Sequence, residues 1–122
     1  MTTILKRRGD SFRWKFDSWE AVLELAQEFG WQPAGTKPPR GTRVADWDAD
    51  DYVSCNGQQM TAPDVAAMAD ALSKALKKIP TKPNKPLPKP ASKALKEFCG
   101  WHREGLSDFV SFCKDGAFRI TY

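Results

Sequence analysis

The chain has 122 residues, 41% of them hydrophobic and 11% aromatic, with 19 basic and 15 acidic side chains and a formal net charge of +4. That length fits a single domain, residues 1–122, around one core, and the composition excludes wholesale disorder and collagen-like repeats. No run reaches the roughly 20 apolar residues that cross a bilayer, and Met1 to Gly9 lacks the apolar stretch of a secretory signal, so a soluble, cytoplasmic protein with no membrane partner is expected.

Phe12, Trp14 and Phe16 alternate with polar residues, the period of a half-buried strand. A turn at Gly9-Asp10 would pair this strand with Ile4 to Arg7. From Asp17 or Ser18 the period lengthens, and Trp19, Val22, Leu23, Ala26 and Phe29 predict a helix over 18–29, with Asp17 as N-cap and Gly30 as its stop. The outer face of that helix carries Glu20, Glu24, Gln27 and Glu28, a pattern that solvation alone explains.

Residues 31–42 hold three prolines and two glycines, which predicts a long, partly rigid loop. It leads into Asp46, Asp48, Asp50 and Asp51 around Trp47. A calcium loop starting at Asp46 would need Gly at its sixth position and Glu at its twelfth, where this chain has Asp51 and Gly57. Asn56-Gly57 predicts a tight hairpin between Tyr52–Cys55 and Gln58–Met60. Thr61, Pro63 and Asp64 then open a helix over 62–79.

Between Ala71 and Lys96 the chain carries eight lysines and no acid, which leaves the remaining body with 11 basic and 15 acidic groups, a formal charge of −4. Five prolines within residues 80–90 predict an exposed linker over 80–91. A short helix within 91–101, a helix through Leu106, Phe109, Val110 and Cys113 opened by Ser107, and a strand through Phe118, Ile120 and Tyr122 complete the chain. The expected fold is α+β: a small, mainly antiparallel sheet with helices on one side.

Cys55, Cys99 and Cys113 are an odd set, as expected of reduced thiols. Cys99 and His102 invite comparison with a thiol nucleophile and its base, and hence a small Cys/His enzyme, but a buried structural thiol explains Cys99 equally. Zinc would need all three cysteines and His102, at spacings unlike a structural site. No Walker A motif or dinucleotide fingerprint is present, and neither a cofactor nor a metal is expected. Lys74, Lys77, Lys78, Lys82, Lys85 and Lys89 offer an anion-binding surface for an accessory protein of nucleic acids, although no aromatic between Ala71 and Glu97 supplies a stacking platform.

Gly30-Trp31-Gln32-Pro33-Ala34-Gly35-Thr36 after an amphipathic helix, Asn56-Gly57-Gln58 before an Ala-rich helix, and the closing Phe109-Val110-Ser111-Phe112-Cys113 with Gly116 and Phe118 resemble small bacterial α+β proteins, among them immunity proteins that neutralise a toxin. Many such proteins are acidic, as is the body of this chain without its lysine-rich segment. The resemblance implies a non-enzymatic protein-binding module, an immunity or antitoxin-like inhibitor that occludes a toxin or effector. Its expected contacts are Trp31, Asp46, Trp47, Asp48, Asp50 and Asp51, with Trp47 as anchor and the carboxylates meeting basic groups.

Overall fold

In the computed structural model, residues 2–80, 92–98 and 102–122 are described. The alternation at the start of the chain builds β1 (Thr2–Arg7) and β2 (Asp10–Lys15), paired antiparallel with Leu5 opposite Phe12. The turn sits at Arg8-Gly9, one residue earlier than the Gly9-Asp10 expected. Gly9 has φ +81° and among the described residues no non-glycine residue has a positive φ, so the positive second turn position falls on the residue without a Cβ.

The chain passes directly into α1 (Phe16–Glu28), whose N-cap is Lys15 and not Asp17. Asp17 lies in the first turn, where a carboxylate complements the helix dipole. The C-terminus closes as a Schellman motif: Gly30, at φ +103°, donates its N–H to Gln27 O, and Trp31 N–H reaches Ala26 O at 2.9 Å. This directs Trp31 back into the core.

The hairpin expected around Asn56-Gly57 does not form. Of its two arms only β3 (Gln58–Met60) is a strand, and it pairs with β4 (Phe118–Thr121). Side chains satisfy the 51–56 backbone in place of a cross-strand ladder. Trp19 Nε1 donates to Tyr52 O at 2.8 Å, while the fully buried Gln58 amide donates to Ser54 O and Asp51 O and accepts from Asn56 N–H. Gly57 N–H is taken by Ile120 O, and Asn56 lacks the positive φ that a type I′ turn requires.

After β3 come α2 (Ala62–Lys78), α3 (Lys93–Glu97), α4 (His102–Cys113) and β4. α4 begins at His102, a turn and a half before the expected Ser107. Tyr122 falls beyond the end of β4 and is 80% exposed, so it does not continue the buried alternation of Phe118 and Ile120. Most of the 80–91 linker lies outside the described residues.

The four strands form one antiparallel sheet in the order β2-β1-β4-β3, with the helices stacked on one face, as expected for the α+β class. That face carries Thr3, Leu5, Phe12, Trp14, Gln58, Met60, Phe118 and Ile120. Phe109 of α4 sits at the middle of an aromatic cluster, with ring centroids 5.2 Å from Phe12, 5.7 Å from Trp14, 5.9 Å from Trp19 and 6.2 Å from Phe118. Arg7 fastens the sheet to the end of α4: its guanidinium donates to Phe112 O and Gly116 O and lies 3.7 Å above the Phe112 ring. Among the described residues no helix is long and apolar enough to cross a membrane.

Because Phe109 joins strands, α1 and α4 in one contact set, Phe109→Ala should destabilise the fold by about 3–5 kcal/mol in chemical denaturation. Substitution of the exposed Lys114 by Ala should shift stability by less than about 0.5 kcal/mol.

Candidate functional site

Asp64 stands in the first turn of α2 yet is only 2% exposed. A buried carboxylate is tolerated only when its acceptor capacity is filled. Here Oδ1 accepts from Trp31 Nε1 at 2.9 Å and from Ala34 N–H at 3.2 Å, and Oδ2 accepts from Tyr52 Oη at 2.5 Å. Tyr52 Oη in turn accepts from Gly35 N–H at 2.8 Å. Trp31 and Tyr52 meet edge to face, centroids 5.2 Å apart. Three chain segments, 31–35, 52 and the start of α2, are thereby locked together. The positive end of the helix dipole adds to the stabilisation of the carboxylate.

This network leaves a cleft of about 330 Å³ between α1 and the 50–53 segment. Leu23, Trp31, Pro33 and Tyr52 supply an apolar and aromatic floor, and Glu20, Glu24 and Asp50 stand at its margin. All three carboxylate residues are exposed. The acidic margin continues along α1 to Asp17 and to Glu97 of α3, broken by Lys93. No family model matches the chain, and neither curated proteins nor solved structures give a match.

The expected contact residues separate sharply here. Trp31 is 3% exposed and belongs to the floor and the core, so it cannot project as a free contact. Its indole N–H is spent on Asp64. Asp51 is also used internally: it accepts from Val53 N–H, Ser54 N–H and Ser54 Oγ, an Asx-type turn that starts the irregular 52–57 segment. Partial burial raises its pKa, but these hydrogen bonds outweigh that and hold it below the usual range. The group therefore contributes stability above its unfolded pKa, and that contribution is lost on acidification.

Asp48 closes a local turn onto Asp50 N–H, and Asp46 pairs with Arg43 at 2.9 Å. Trp47 is half-buried, with Nε1 donating to Thr36 Oγ1 at 3.1 Å. Of the four clustered aspartates, only Asp50 joins the cleft. Its rim partners are Glu20 and Glu24, at helical spacing on the face of α1 that composition presented as merely solvated. The turn at Gly30 and the buried Asp64 are what bring the two segments together, and neither is a pattern in the local sequence around Glu20.

The other candidates fall elsewhere. Lys74, Lys77 and Lys78 are exposed on α2, and Lys82, Lys85 and Lys89 lie outside the described residues. So does Cys99, while His102 is exposed at the start of α4. Cys55 and Cys113 are free and buried. Burial pushes the Cys113 thiol up to about 12, against a smaller opposing pull from Arg7, so it is not a thiolate near neutral pH. Among the described residues no three His, Cys, Asp or Glu side chains are grouped to hold a metal ion.

Tyr52 contributes a phenol to the network. Burial and its hydrogen bond to Asp64 raise its pKa, opposed by the Gly35 N–H and reinforced by the charges of Asp64 and Asp50. With a folded pKa above the unfolded value of about 10, the folded state keeps the proton longer, so this contribution is complete below about pH 10 and is lost as the pH rises further. Tyr52→Phe should cost about 1–2 kcal/mol at neutral pH. It should also flatten the alkaline fall of the denaturation midpoint relative to the wild type above about pH 10.

Proposed function

We propose that the chain is a non-enzymatic protein-binding module, an inhibitor of the immunity or antitoxin kind, which receives a Lys or Arg side chain of its partner in the cleft between α1 and residues 50–53. The observation that carries this reading is the pairing of an aromatic floor, Trp31 and Tyr52, with a margin of three carboxylates, Glu20, Glu24 and Asp50. Long cationic side chains lay their apolar stems on such a floor and leave the charge at the carboxylates. A ring face beside the cation adds to the attraction.

The dimensions favour one side chain over a large ligand. A volume of about 330 Å³ is at the lower end of small-molecule pockets. Inhibition by occlusion requires complementarity and anchors, and no reactive group. It also benefits from rigidity, because a surface that is already ordered loses little entropy on docking. The Asp64 network supplies that order directly beneath the cleft. The surrounding acids, Asp17 and Glu97 included, would steer a basic partner during encounter. Trp47, half-buried beside this region, supports the neighbouring loop through Thr36.

The triple substitution Glu20→Gln, Glu24→Gln and Asp50→Asn tests the assignment, since all three residues are exposed and leave the core untouched. The wild-type chain should retain one stoichiometric protein from nuclease-treated host lysate, and the triple variant should bind that protein at least about tenfold more weakly, about 1.4 kcal/mol by titration calorimetry. Equal affinity of the two chains, or a catch that disappears with nuclease, would refute the cleft as the binding site.

A further inference from the structure

The face of the sheet turned away from the helices carries a second charged surface of opposite sign. Directly paired residues on adjacent strands share a face. The pairs Lys37 with Gln59, Gln59 with Arg119, Arg119 with Lys6 and Lys6 with Ser11 therefore form one line across the sheet. At about 4.8 Å between strands, this line runs for roughly 19 Å. Arg13 lies opposite Ile4 and Lys15 opposite Thr2 on the same face. The residues that the strands contribute to this face include Lys6, Arg13, Lys15 and Arg119, and none of them is a carboxylate.

Lys6, Arg13, Lys15 and Lys37 are exposed, and among the described residues none of them forms an ion pair. Arg119 is half-buried and places one guanidinium nitrogen on Gly57 O at 2.9 Å. At one end of the face the Arg8-Gly9 turn and the Pro39-Arg40 segment wall a cleft of about 770 Å³, to which Lys6, Arg8, Arg40 and Arg119 bring positive charge. Unpaired like charges held this close cost stability, and an anionic occupant removes that cost.

We propose that this face binds the phosphate backbone of a B-form DNA duplex. A duplex presents one negative charge per about 1.7 Å of its axis without an intervening cation, which suits a face to which the strands contribute several cations and no carboxylate. The strand residues of the face include no aromatic side chain, Ile4 being their one large apolar residue, so a single strand would find no stacking platform. The β1–β2 ribbon is at the sheet edge, and its Arg8-Gly9 tip suits the major groove of B-form DNA, about 12 Å wide, whereas the major groove of A-form RNA is closed to side chains. The acids of α1 lie on the opposite layer and would orient the molecule on the duplex.

The test is fluorescence anisotropy with the full chain and a short labelled DNA duplex, competed by an RNA duplex, the separated DNA strand and polyglutamate. With about four phosphates engaged, the log–log salt slope should be about −3.6, so that raising salt from about 50 to about 200 mM weakens binding about 150-fold. Lys6→Gln, Arg13→Gln and Lys15→Gln together should weaken binding at least about tenfold and make the slope shallower by about 2.7. Arg8→Gln with Arg40→Gln, in turn and loop positions, should act in the same direction and serves if the strand variant fails to fold. The Glu20, Glu24 and Asp50 variant should keep its DNA affinity, which separates this surface from the cleft on α1. No duplex binding at low salt, equal competition by polyglutamate, tighter binding of RNA or of the single strand, or unchanged affinity in both cationic variants would overturn the proposal.

Discussion

The Asp64 carboxylate is the constraint on which the organisation of this protein turns. It is buried at the start of α2 and filled by one indole, one phenol and one backbone N–H, drawn from segments twelve to thirty-three residues away. An unpaired carboxylate at that depth would cost several kcal/mol, so the three donors and the acceptor stabilise one another's positions. Removing any donor leaves the charge under-satisfied. That coupling fixes a proline- and glycine-rich stretch which has little regular hydrogen bonding of its own, and it places Asp50 across from α1.

The distribution of charge follows from a different and simpler cause. A strand puts successive side chains on opposite faces, so Phe12 and Trp14 turn toward the helices while Arg13 and Lys15 turn away. Arg119 joins them because β4 pairs with β1. An amphipathic helix over the other face must show its polar side outward, and in α1 that side is acidic. The fold thus sets the acidic outer side of α1 and the cationic sheet face on opposite layers, although the formal net charge is only +4. Counting charge along the chain picks out the lysines from 74 to 96 and misses this arrangement, because strand alternation sorts neighbouring residues onto opposite faces and only tertiary pairing adds Arg119 to one patch and Asp50 to the other.

Legibility in the sequence divides along the same line between local and tertiary causes. The period of Trp19, Val22, Leu23 and Ala26 and the glycine after it defined α1, and the apolar stripe of Val65, Met68 and Leu72 defined α2, since a core-facing helix needs little beyond its own spacing. Asn56-Gly57 misled because turn propensity is weak against a buried Gln58 that satisfies three backbone groups of the same segment. Asp64 was legible as a helix-start acid but not as a buried acceptor, because its donors come from residues 31, 34 and 52. Trp31 lies in the floor of the cleft and does not project from the 31–42 loop. The Schellman turn that follows α1 carries it inward, and only the residue after the glycine shows this in the structure.

The two outer surfaces also differ in what holds their side chains. The carboxylates of the α1 cleft stand over a floor that is cross-linked by hydrogen bonds and edge-to-face rings, so their separation is set by buried structure. The cations of the sheet face project from a hydrogen-bonded ladder, which sets their spacing in one direction by strand separation and in the other by the two-residue repeat. An apolar floor rewards burial of one shaped group, whereas a charged lattice without a floor responds to the charge density of whatever lies on it. Neither surface draws on the other's residues. The core between them can therefore remain constant while each is altered.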